Sequence, residues 1–349
     1  MNPLILSMIT IALGFGTTLT FASSHWLLAW MGLEINTLAI LPLMARHHHP
    51  RAVEASTKYF LTQAAGAATL LFANTTNGWI TGQWTISEMA HPIPATLAMA
   101  ALALKIGLAP THVWLPEVLQ GLDLSVGLVM STWQKLAPFV LLSQLQTPDT
   151  TTMLILLGLL STLVGGCGGL NQTQTRKILA YSSIAHLGWM VLMVQFLPRL
   201  GLLTLVIYCL LTTPAFLSLK ANQATSVNKL ALAWTKAPVL AACTPLVFLS
   251  LGGLPPLTGF MPKWLILHEL TKQELTGLAT LAALSALLSL YFYLRLSYAM
   301  AMTMPPNSLT SSPAWRLAST QATLPLATTT VAALGLLPVT PLVAVLFTS

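Results

Sequence analysis

Three lysines and one glutamate lie inside apolar stretches long enough to cross a lipid bilayer: Lys105, Lys135, Lys263 and Glu34. A lysine at the centre of a membrane helix costs about 2.5–3.5 kcal/mol on insertion scales. A long lysine stem can carry its ammonium group to the headgroups, but only from within a turn or two of a helix end. Deeper lysines cannot escape in this way, so we interpret these residues as a path for charge transfer.

The composition sets the fold class. Charged residues make up 7% and apolar residues 55% of the 349 residues, with a mean hydropathy of +0.76, whereas soluble domains carry about 25% charged residues. This predicts an all-α polytopic membrane protein without a soluble domain. At about 20 apolar residues per crossing, we expect eleven helices. They fall at roughly 3–20, 26–44, 56–74, 93–120, 122–145, 151–170, 178–196, 200–219, 239–268, 275–296 and 321–347.

Two of these helices, the fourth and the ninth, contain helix-breaking residues beside a lysine. Gly107 and Pro110 follow Lys105, and the run Gly252-Gly253-Leu254-Pro255-Pro256 precedes Lys263. Proline removes a backbone hydrogen bond, and unwound backbone at membrane depth needs cover from protein or a water-filled cavity. Breaks at matching places in two halves are typical of inverted-repeat transporters. The alternative is two unrelated proline kinks.

The breaks, five helices apart, predict one membrane domain over residues 1–349, built from two inverted five-helix repeats. Residues 1–145 would form the first repeat and 151–296 the second, inverted repeat. Residues 297–320, rich in Ser, Thr, Pro and Met, would form a crossover on the membrane side of the N-terminus, and 321–347 a terminal helix. The segment 76–90 alternates in polarity around Gly82, which predicts a short β-hairpin outside the membrane.

The basic residues outside the membrane core predict the orientation. Ten of them fall on the side of the N-terminus and two, Arg199 and Lys272, on the other side, a strong positive-inside signal. The ten are Arg46, Arg51, Lys58, Arg176, Lys177, Lys220, Lys229, Lys236, Arg295 and Arg316. The net charge of +7 then belongs to one membrane face, where anionic lipid or an acidic partner is expected. Nucleic acid is not implied.

Cysteine and histidine argue against a redox or metal centre. Cys167, Cys209 and Cys243 are far apart in apolar sequence and are expected to be buried small hydrophobic residues. The run His47-His48-His49 precedes Pro50 and is more typical of a solvated turn than of a metal site. The glycines of the run 165–169 are expected to allow close helix packing.

Position along the helices gives an estimate of depth. At about 1.5 Å per residue, Glu34, Lys105 and Lys135 come out near the middle of a hydrocarbon layer about 30 Å thick. Lys263 is five residues short of His268, so it lies nearer the membrane face opposite the N-terminus, which collects the acidic residues Glu88, Asp149, Glu269 and Glu274. No presequence precedes the first helix, so it is expected to be a permanent span.

Two histidines join the list of candidates. His186 holds the place in the second repeat that Glu34 holds in the first, and His112 lies just past the first break. Each is either a packed, hydrogen-bonded residue or a relay and water site; the sequence leaves both alternatives open.

These residues resemble the antiporter-like subunits of respiratory complex I. The resemblance rests on Glu34 and the three lysines, on Pro110-Thr111-His112-Val113-Trp114-Leu115-Pro116, on Tyr181-Ser182-Ser183-Ile184-Ala185-His186 and on the Gly-Gly-Leu-Pro-Pro run, and it covers the whole length. It implies that Glu34 pairs with Lys105, that Lys135 is the central connecting lysine and that Lys263 belongs to the outward half-channel. Longer family members have fourteen helices, and this chain is expected to lack the first three, as the animal mitochondrial form does.

The resemblance also implies the function. The chain would be a core membrane-arm subunit of proton-pumping NADH:ubiquinone oxidoreductase, moving protons from the matrix to the intermembrane space, driven by quinone reduction elsewhere. It would bind no cofactor itself: NADH, FMN, Fe–S clusters and ubiquinone belong to other subunits, and there is room for a structural lipid such as cardiolipin. Its partners would be chain 4L and chain 4, the lateral helix of chain 5, accessory subunits and inner-membrane lipids. It would be a multi-pass protein of the mitochondrial inner membrane, with the N-terminus in the matrix and the C-terminus in the intermembrane space.

Two other classes compete with this one. A stand-alone cation/proton antiporter would have the same kind of fold. Such a protein would be expected to carry carboxylates that strip water from Na⁺, whereas the central positions here are three lysines and one glutamate. A purely structural scaffold leaves the buried charges unexplained.

Overall fold

The protein folds as an array of α-helices. The computed structural model describes residues 2–46, 49–89, 91–145, 148–235, 238–301, 323–342 and 345, and within these ranges it contains two isolated bridges but no β-strand. The helices are α1 (Pro3–Ala22), α2 (Trp26–Met44), α3 (Pro50–Thr81), α4 (Pro92–Ile106), α5 (Trp114–Gly121), α6 (Leu124–Gln144), α7 (Pro148–Gly169), α8 (Thr175–Val194), α9 (Pro198–Ala221), α10 (Val227–Ala231), α11 (Pro238–Gly252), α12 (Phe260–Lys272), α13 (Thr276–Ala301) and α14 (Leu324–Gly335).

Length and composition make this an integral membrane protein. Within the described ranges, seven helices are long and apolar enough to cross a bilayer, namely α1, α2, α6, α7, α8, α9 and α13. Three shorter helices, α4, α11 and α14, are also apolar. An all-helical membrane fold is therefore confirmed, while the count of eleven spans, the two inverted repeats and the division of the chain into them stay predictions.

The chain separates into two compact units. The first comprises Met1–Ser161 and Val191–Pro198. In it, α1 and α2 pack through facing glycines: a Cβ added to Gly16 would lie 2.9 Å from the carbonyl oxygen of Gly32, and one added to Gly32 would lie 2.8 Å from that of Gly16. A larger residue at either place would push the backbones apart, as expected for close-packed membrane helices.

The second unit comprises Thr162–Met190 and Arg199–Ser349. Here the glycine run at the end of α7 allows the close packing that the sequence predicts. A Cβ at Gly165 would lie 2.5 Å from the backbone nitrogen of Ala185 in α8, and one at Gly169 would lie 2.7 Å from the ring of Phe292 in α13. The small residues thus place α7 directly against both neighbours.

Both predicted helix breaks are present. α4 ends at Ile106 and α11 at Gly252, and the next residue at each place, Gly107 or Gly253, has a left-handed backbone with φ of 87° or 81°. The amide after each glycine closes the same cap: Leu108 donates to the carbonyl of Ala103, and Leu254 to that of Leu249. Glycine reaches this conformation without a Cβ clash, which is why it ends both helices.

The break after α11 is held against α14 within the second unit. The buried hydroxyls of Ser250 and Thr258 donate to the carbonyls of Ala333 and Ala332, at 2.7 and 3.1 Å. These bonds satisfy carbonyls at the end of α14 that have no helical partner. The expectation of one continuous helix over 321–347 is wrong, because α14 ends at Gly335 and a short 3₁₀ turn follows over Leu337–Val339. Pro338 lacks the N–H that would continue the α-helix.

The predicted β-hairpin at 76–90 is also wrong. α3 continues to Thr81 and stops at Gly82, whose φ of 72° is that of a left-handed helix cap. The amide of Gly82 donates to the carbonyl of Gly78, and Trp84 folds back so that its ring lies against Gly78. The glycine at the centre of the alternating pattern therefore ends a helix instead of turning a hairpin.

The prediction that all three cysteines are buried is wrong: Cys167 is exposed, and the other two are half-buried. Cys167 follows the exposed Leu163 by one helical turn, so it lies on the outward face of α7. In the His47-His48-His49 run, the first two residues lie outside the described ranges. Most of the expected crossover, from residue 302 onward, also lies outside them.

Candidate functional site

Glu34 of α2 and Lys105 of α4 form an ion pair in the first unit. Oε1 of Glu34 lies 3.7 Å from Nζ of Lys105, whose side chain is only 2% exposed, while that of Glu34 is 23% exposed. The other carboxylate oxygen accepts a hydrogen bond from the Thr37 hydroxyl at 3.2 Å. Because 3.7 Å exceeds hydrogen-bond length, the pair is electrostatic, and both charged atoms keep capacity for a further partner.

Lys105 occupies the last turn of α4, directly before the break, and other helices satisfy the carbonyls exposed there. The indole nitrogen of Trp114 donates to the carbonyl of Leu104 at 3.1 Å, and the amide of Gln63 in α3 donates to that of Lys105 at 3.3 Å. Gly66, also in α3, makes room for the lysine stem, since a Cβ there would lie 3.1 Å from Cγ of Lys105. The break is therefore covered by protein, as unwound backbone at membrane depth requires.

Lys135 of α6 lines the same cavity as Lys105. This cavity has a volume of about 20 Å³ and is lined by polar as well as apolar side chains. Its polar lining consists of Asn36, Thr37, Tyr59, Gln63, Lys105, Gln134 and Lys135. The volume is enough for one water molecule, which needs roughly 10–15 Å³ of cavity space. The structure thus brings Lys105 and Lys135 to a common polar space in the first unit.

The second unit holds Lys263, at the start of α12. Its Nζ donates to the carbonyl of Gly252 at 2.7 Å, so the lysine caps the end of α11 across the break. Lys263 also lines a cavity of about 20 Å³ together with His186, Thr204 and Tyr208. The rings of His186 and Tyr208 are in tilted contact, with centroids 5.5 Å apart. The structure therefore brings His186 and Lys263 together.

His112 stands apart from these groups. Its Nδ1 lies 3.2 Å from the carbonyl oxygen of Pro110, two residues earlier. His112 is not one of the residues that line the cavity of Lys105 and Lys135. Its position is that of a residue that supports the local turn after the break.

Several uncharged polar residues of the site were missed at the level of sequence. In the first cavity they are Asn36, Tyr59, Gln63 and Gln134, and in the second they are Thr204 and Tyr208. Each is a polar residue within an apolar helix, which is the signal that could have drawn attention to it. That signal is shared by other buried residues such as Asn74 and Asn77 of α3, so it does not select the site by itself.

The chemistry available here is proton transfer. Lysine and carboxylate exchange protons, and the amide, hydroxyl and phenol groups around them can order water between them. Among the described residues, no group of three His, Cys, Asp or Glu side chains converges in the manner of a metal site.

Comparison with known families places this fold and site in a class. The family described as NADH:quinone oxidoreductase/Mrp antiporter, TM, matches residues 23–289, and that described as NADH dehydrogenase subunit 2 C-terminus matches residues 290–344. The protein is thus a membrane subunit of the type shared by NADH:quinone oxidoreductases and Mrp antiporters.

Individual relatives narrow the class. The chain is 65% identical to NADH-ubiquinone oxidoreductase chain 2 of Tetraodon nigroviridis over 347 residues, covering 99% of both proteins. It is also 65% identical to the protein of that name from Salmo salar, covering 100% of both. The chain belongs to the NADH-ubiquinone oxidoreductase chain 2 family.

Solved structures agree on the fold. A chain of respiratory complex I from Thermus thermophilus superposes with a TM-score of 0.82 at 30% identity, over 98% of this chain and 80% of the other. A chain of the Mrp complex from Dietzia superposes with a TM-score of 0.81 at 16% identity, over 94% and 74% respectively, which shows the fold alone. The stand-alone antiporter alternative is not favoured, because the full-length relatives are named NADH-ubiquinone oxidoreductase chain 2.

Proposed function

We propose that this chain carries protons across the membrane as a membrane-arm subunit of NADH:ubiquinone oxidoreductase. Membership in the chain 2 family supports the assignment to that complex. The transfer path would use Glu34, Lys105, Lys135 and Lys263, with protons passing from the matrix to the intermembrane space.

The observation that carries this proposal is the buried ion pair of Glu34 and Lys105 beside a broken helix. Burial in a low-dielectric medium weakens the hold of a lysine on its proton, and a nearby carboxylate strengthens it. Movement of the carboxylate toward or away from the ammonium group would therefore load or unload a proton. A change of about 1,000-fold in the acid dissociation constant of such a lysine corresponds to about 4 kcal/mol. Carrying one charge against roughly 180 mV costs a similar amount, about 4 kcal/mol.

The remaining candidates take roles that follow from their surroundings. Lys135 shares a polar cavity with Lys105 and would accept its proton. Lys263 would serve the outward half-channel, with His186 beside it in the second cavity as a relay or water ligand. His112, which bonds its own turn, would have at most a supporting role at the first break.

The energy for pumping would come from other subunits. We propose that NADH, FMN, Fe–S clusters and ubiquinone are bound elsewhere in the complex, and that this chain binds no cofactor beyond a structural lipid such as cardiolipin. The side chain of Glu34 is 23% exposed, which supports electrostatic coupling, because a neighbouring chain could approach it. The neighbours would be chain 4L and chain 4, with the lateral helix of chain 5 and accessory subunits. The chain would lie in the mitochondrial inner membrane, with its N-terminus in the matrix and its C-terminus in the intermembrane space.

The test is neutralisation of each member of the pair in the assembled complex. We expect Glu34→Gln and Lys105→Met each to lower the rate of proton pumping at least about tenfold, a factor equivalent to ~1.4 kcal/mol. The measurement is proton uptake by inner-membrane vesicles, scored against the amount of assembled complex.

The exposed pair of Glu54 and Lys58, whose charged atoms lie 2.9 Å apart, supplies the matched control. Glu54→Gln and Lys58→Met make the same chemical changes at an exposed site and should leave pumping unchanged. Normal pumping with both Glu34 and Lys105 neutralised would refute the proposed path.

A further inference from the structure

Asn36 is a buried polar residue of α2 whose side chain finds no hydrogen-bond partner in the part of the chain that the structure describes. The residue is 2% exposed, and neither its amide oxygen nor its amide nitrogen has a hydrogen-bond partner among the described residues. On the α1 side it faces Gly16, where an added Cβ would lie 2.6 Å from Oδ1 of Asn36. A glycine has no side chain to pair with the amide. Buried polar side chains are normally hydrogen-bonded, so an exception of this kind needs an explanation.

The surroundings of Asn36 supply that explanation. Asn36 lines the cavity of about 20 Å³ that Lys105 and Lys135 also line. A water molecule that fits such a cavity binds stably when it finds two to four polar partners. An amide side chain offers both a donor and an acceptor for it.

The neighbouring backbone is held in place at the same level. Gln134 of α6 donates its side-chain amide to the backbone carbonyl of Asn36 at 3.3 Å. Gln134 directly precedes Lys135 in the chain. This bond ties α6 to α2 where Lys135 enters the cavity, so Asn36 and Lys135 keep a fixed relation to it.

We propose that Asn36 is a positioning residue that binds one water molecule in this cavity and orients it as the proton carrier between Lys105 and Lys135. The inference rests on the proposed function. In the transfer step, an N–H bond of protonated Lys105 breaks as its proton passes to the water oxygen. An O–H bond of the water then breaks as a proton passes to the lone pair of neutral Lys135. The water is regenerated, and the amide of Asn36 neither gains nor loses a proton.

The test compares two buried asparagines in the assembled complex. Asn74 of α3 is likewise 2% exposed, with both amide atoms unpartnered among the described residues, but it does not line the cavity. Asn36→Leu and Asn74→Leu make the same branched, apolar replacement. We expect Asn36→Leu to lower the number of protons pumped per NADH oxidised at least about twofold, and Asn74→Leu to leave that ratio unchanged. Asn36→Ser, which supplies a hydroxyl as donor and acceptor and leaves space for water, should retain most of the wild-type ratio.

Equal ratios in Asn36→Leu and wild type, or equal losses in Asn36→Leu and Asn74→Leu, would overturn the inference. Lys105→Met, measured in the same assay, distinguishes a failure of the proposed proton path from a failure of the role of Asn36. Normal pumping in Lys105→Met would refute the path itself. Lost pumping in Lys105→Met together with a normal ratio in Asn36→Leu would refute only the role of Asn36. If Asn36→Leu does not assemble, a high-resolution density map of the unmodified complex decides. A water peak within hydrogen-bond distance of the Asn36 amide supports the inference, and a dry cavity contradicts it.

Discussion

Lys105 and Lys263 are both buried beside an unwound turn, but they meet different counter-groups. Lys105 faces the carboxylate of Glu34 at 3.7 Å, and Lys263 donates to the carbonyl of Gly252 at 2.7 Å. The first partner carries a full charge that can be moved, and the second carries the partial negative charge of a helix end. Lys263 is therefore part of the scaffold of its break as well as a candidate proton carrier.

This double role makes a prediction for Lys263. Lys263→Met removes the donor to Gly252 and leaves a buried carbonyl unpaired, which costs about 1–3 kcal/mol. We expect both the amount of assembled complex and the proton pumping per complex to fall. Lys263→Gln keeps an N–H donor and should restore assembly without restoring pumping. Quantitative native gels and vesicle pumping assays separate the two effects, and full assembly of Lys263→Met would show that the cap is dispensable.

Charged residues could be identified from sequence because so few remain in this chain. Glu34, Lys105, Lys135 and Lys263 stand out in an apolar background. Asn36 does not, because Asn74 has the same burial and likewise lies within a long helix. Only the three-dimensional position of Asn36, in the cavity of the two lysines, distinguishes it.

Among the helices, the two breaks were predictable because glycine and proline act locally. Gly107 and Gly253 end their helices through their own backbone conformation, whatever packs around them. The end of α3 was not predictable in this way, because Gly82 suits either a hairpin or a helix cap. The choice is made by Trp84, whose ring packs on Gly78 and folds the chain back.

The break after α4 gives a prediction about glycine. Gly107 combines a φ of 87° with a tight site, in which a Cβ would lie 3.0 Å from Leu115 Cδ1. Left-handed backbone costs a residue with a Cβ about 1–2 kcal/mol. In Gly107→Ala the steric contact with Leu115 adds to this strain, so we expect the substitution to lower the thermal midpoint of unfolding of the complex. Gly82→Ala would introduce the backbone strain without a steric contact, and Gly277→Ala would introduce neither the strain nor a contact. We expect the thermal midpoint to fall most in Gly107→Ala, less in Gly82→Ala and least in Gly277→Ala. Equal midpoints in all three variants would contradict this order.

On the scale of the whole molecule, composition alone was enough to predict an all-helical membrane protein. A charged fraction of 7% is too low for a soluble surface of this size. The division into two compact units, with α7 and α8 each contributing to both, has no comparable signal in the sequence. It depends on long-range packing of small residues such as Gly165 on Ala185.

The proposed function predicts the behaviour of the isolated chain. The path can pass protons, but the chain would need about 4 kcal/mol for each charge moved against roughly 180 mV. Purified and placed in liposomes, it should neither oxidise NADH nor build a proton gradient. In the assembled complex, pumping should stop when quinone reduction is blocked. A Na⁺- or K⁺-dependent proton flux from the chain alone would instead support the stand-alone antiporter.

The length of α3 has a consequence for where the site lies along the membrane normal. Its 32 residues extend for about 48 Å, more than the hydrocarbon layer of about 30 Å. Lys58, near one end, is ion-paired and partly exposed, and Trp79, near the other, is 90% exposed. Trp79 follows Lys58 by 21 positions (79 − 58), a rise of about 32 Å along the helix, so a charged anchor and an aromatic anchor would rest in opposite headgroup layers. Gly66, which accommodates the stem of Lys105, lies between these anchors. The length of α3 between its two anchors would therefore fix the depth of Lys105 in the membrane. A thinner or thicker bilayer would have to adapt its local thickness to this helix.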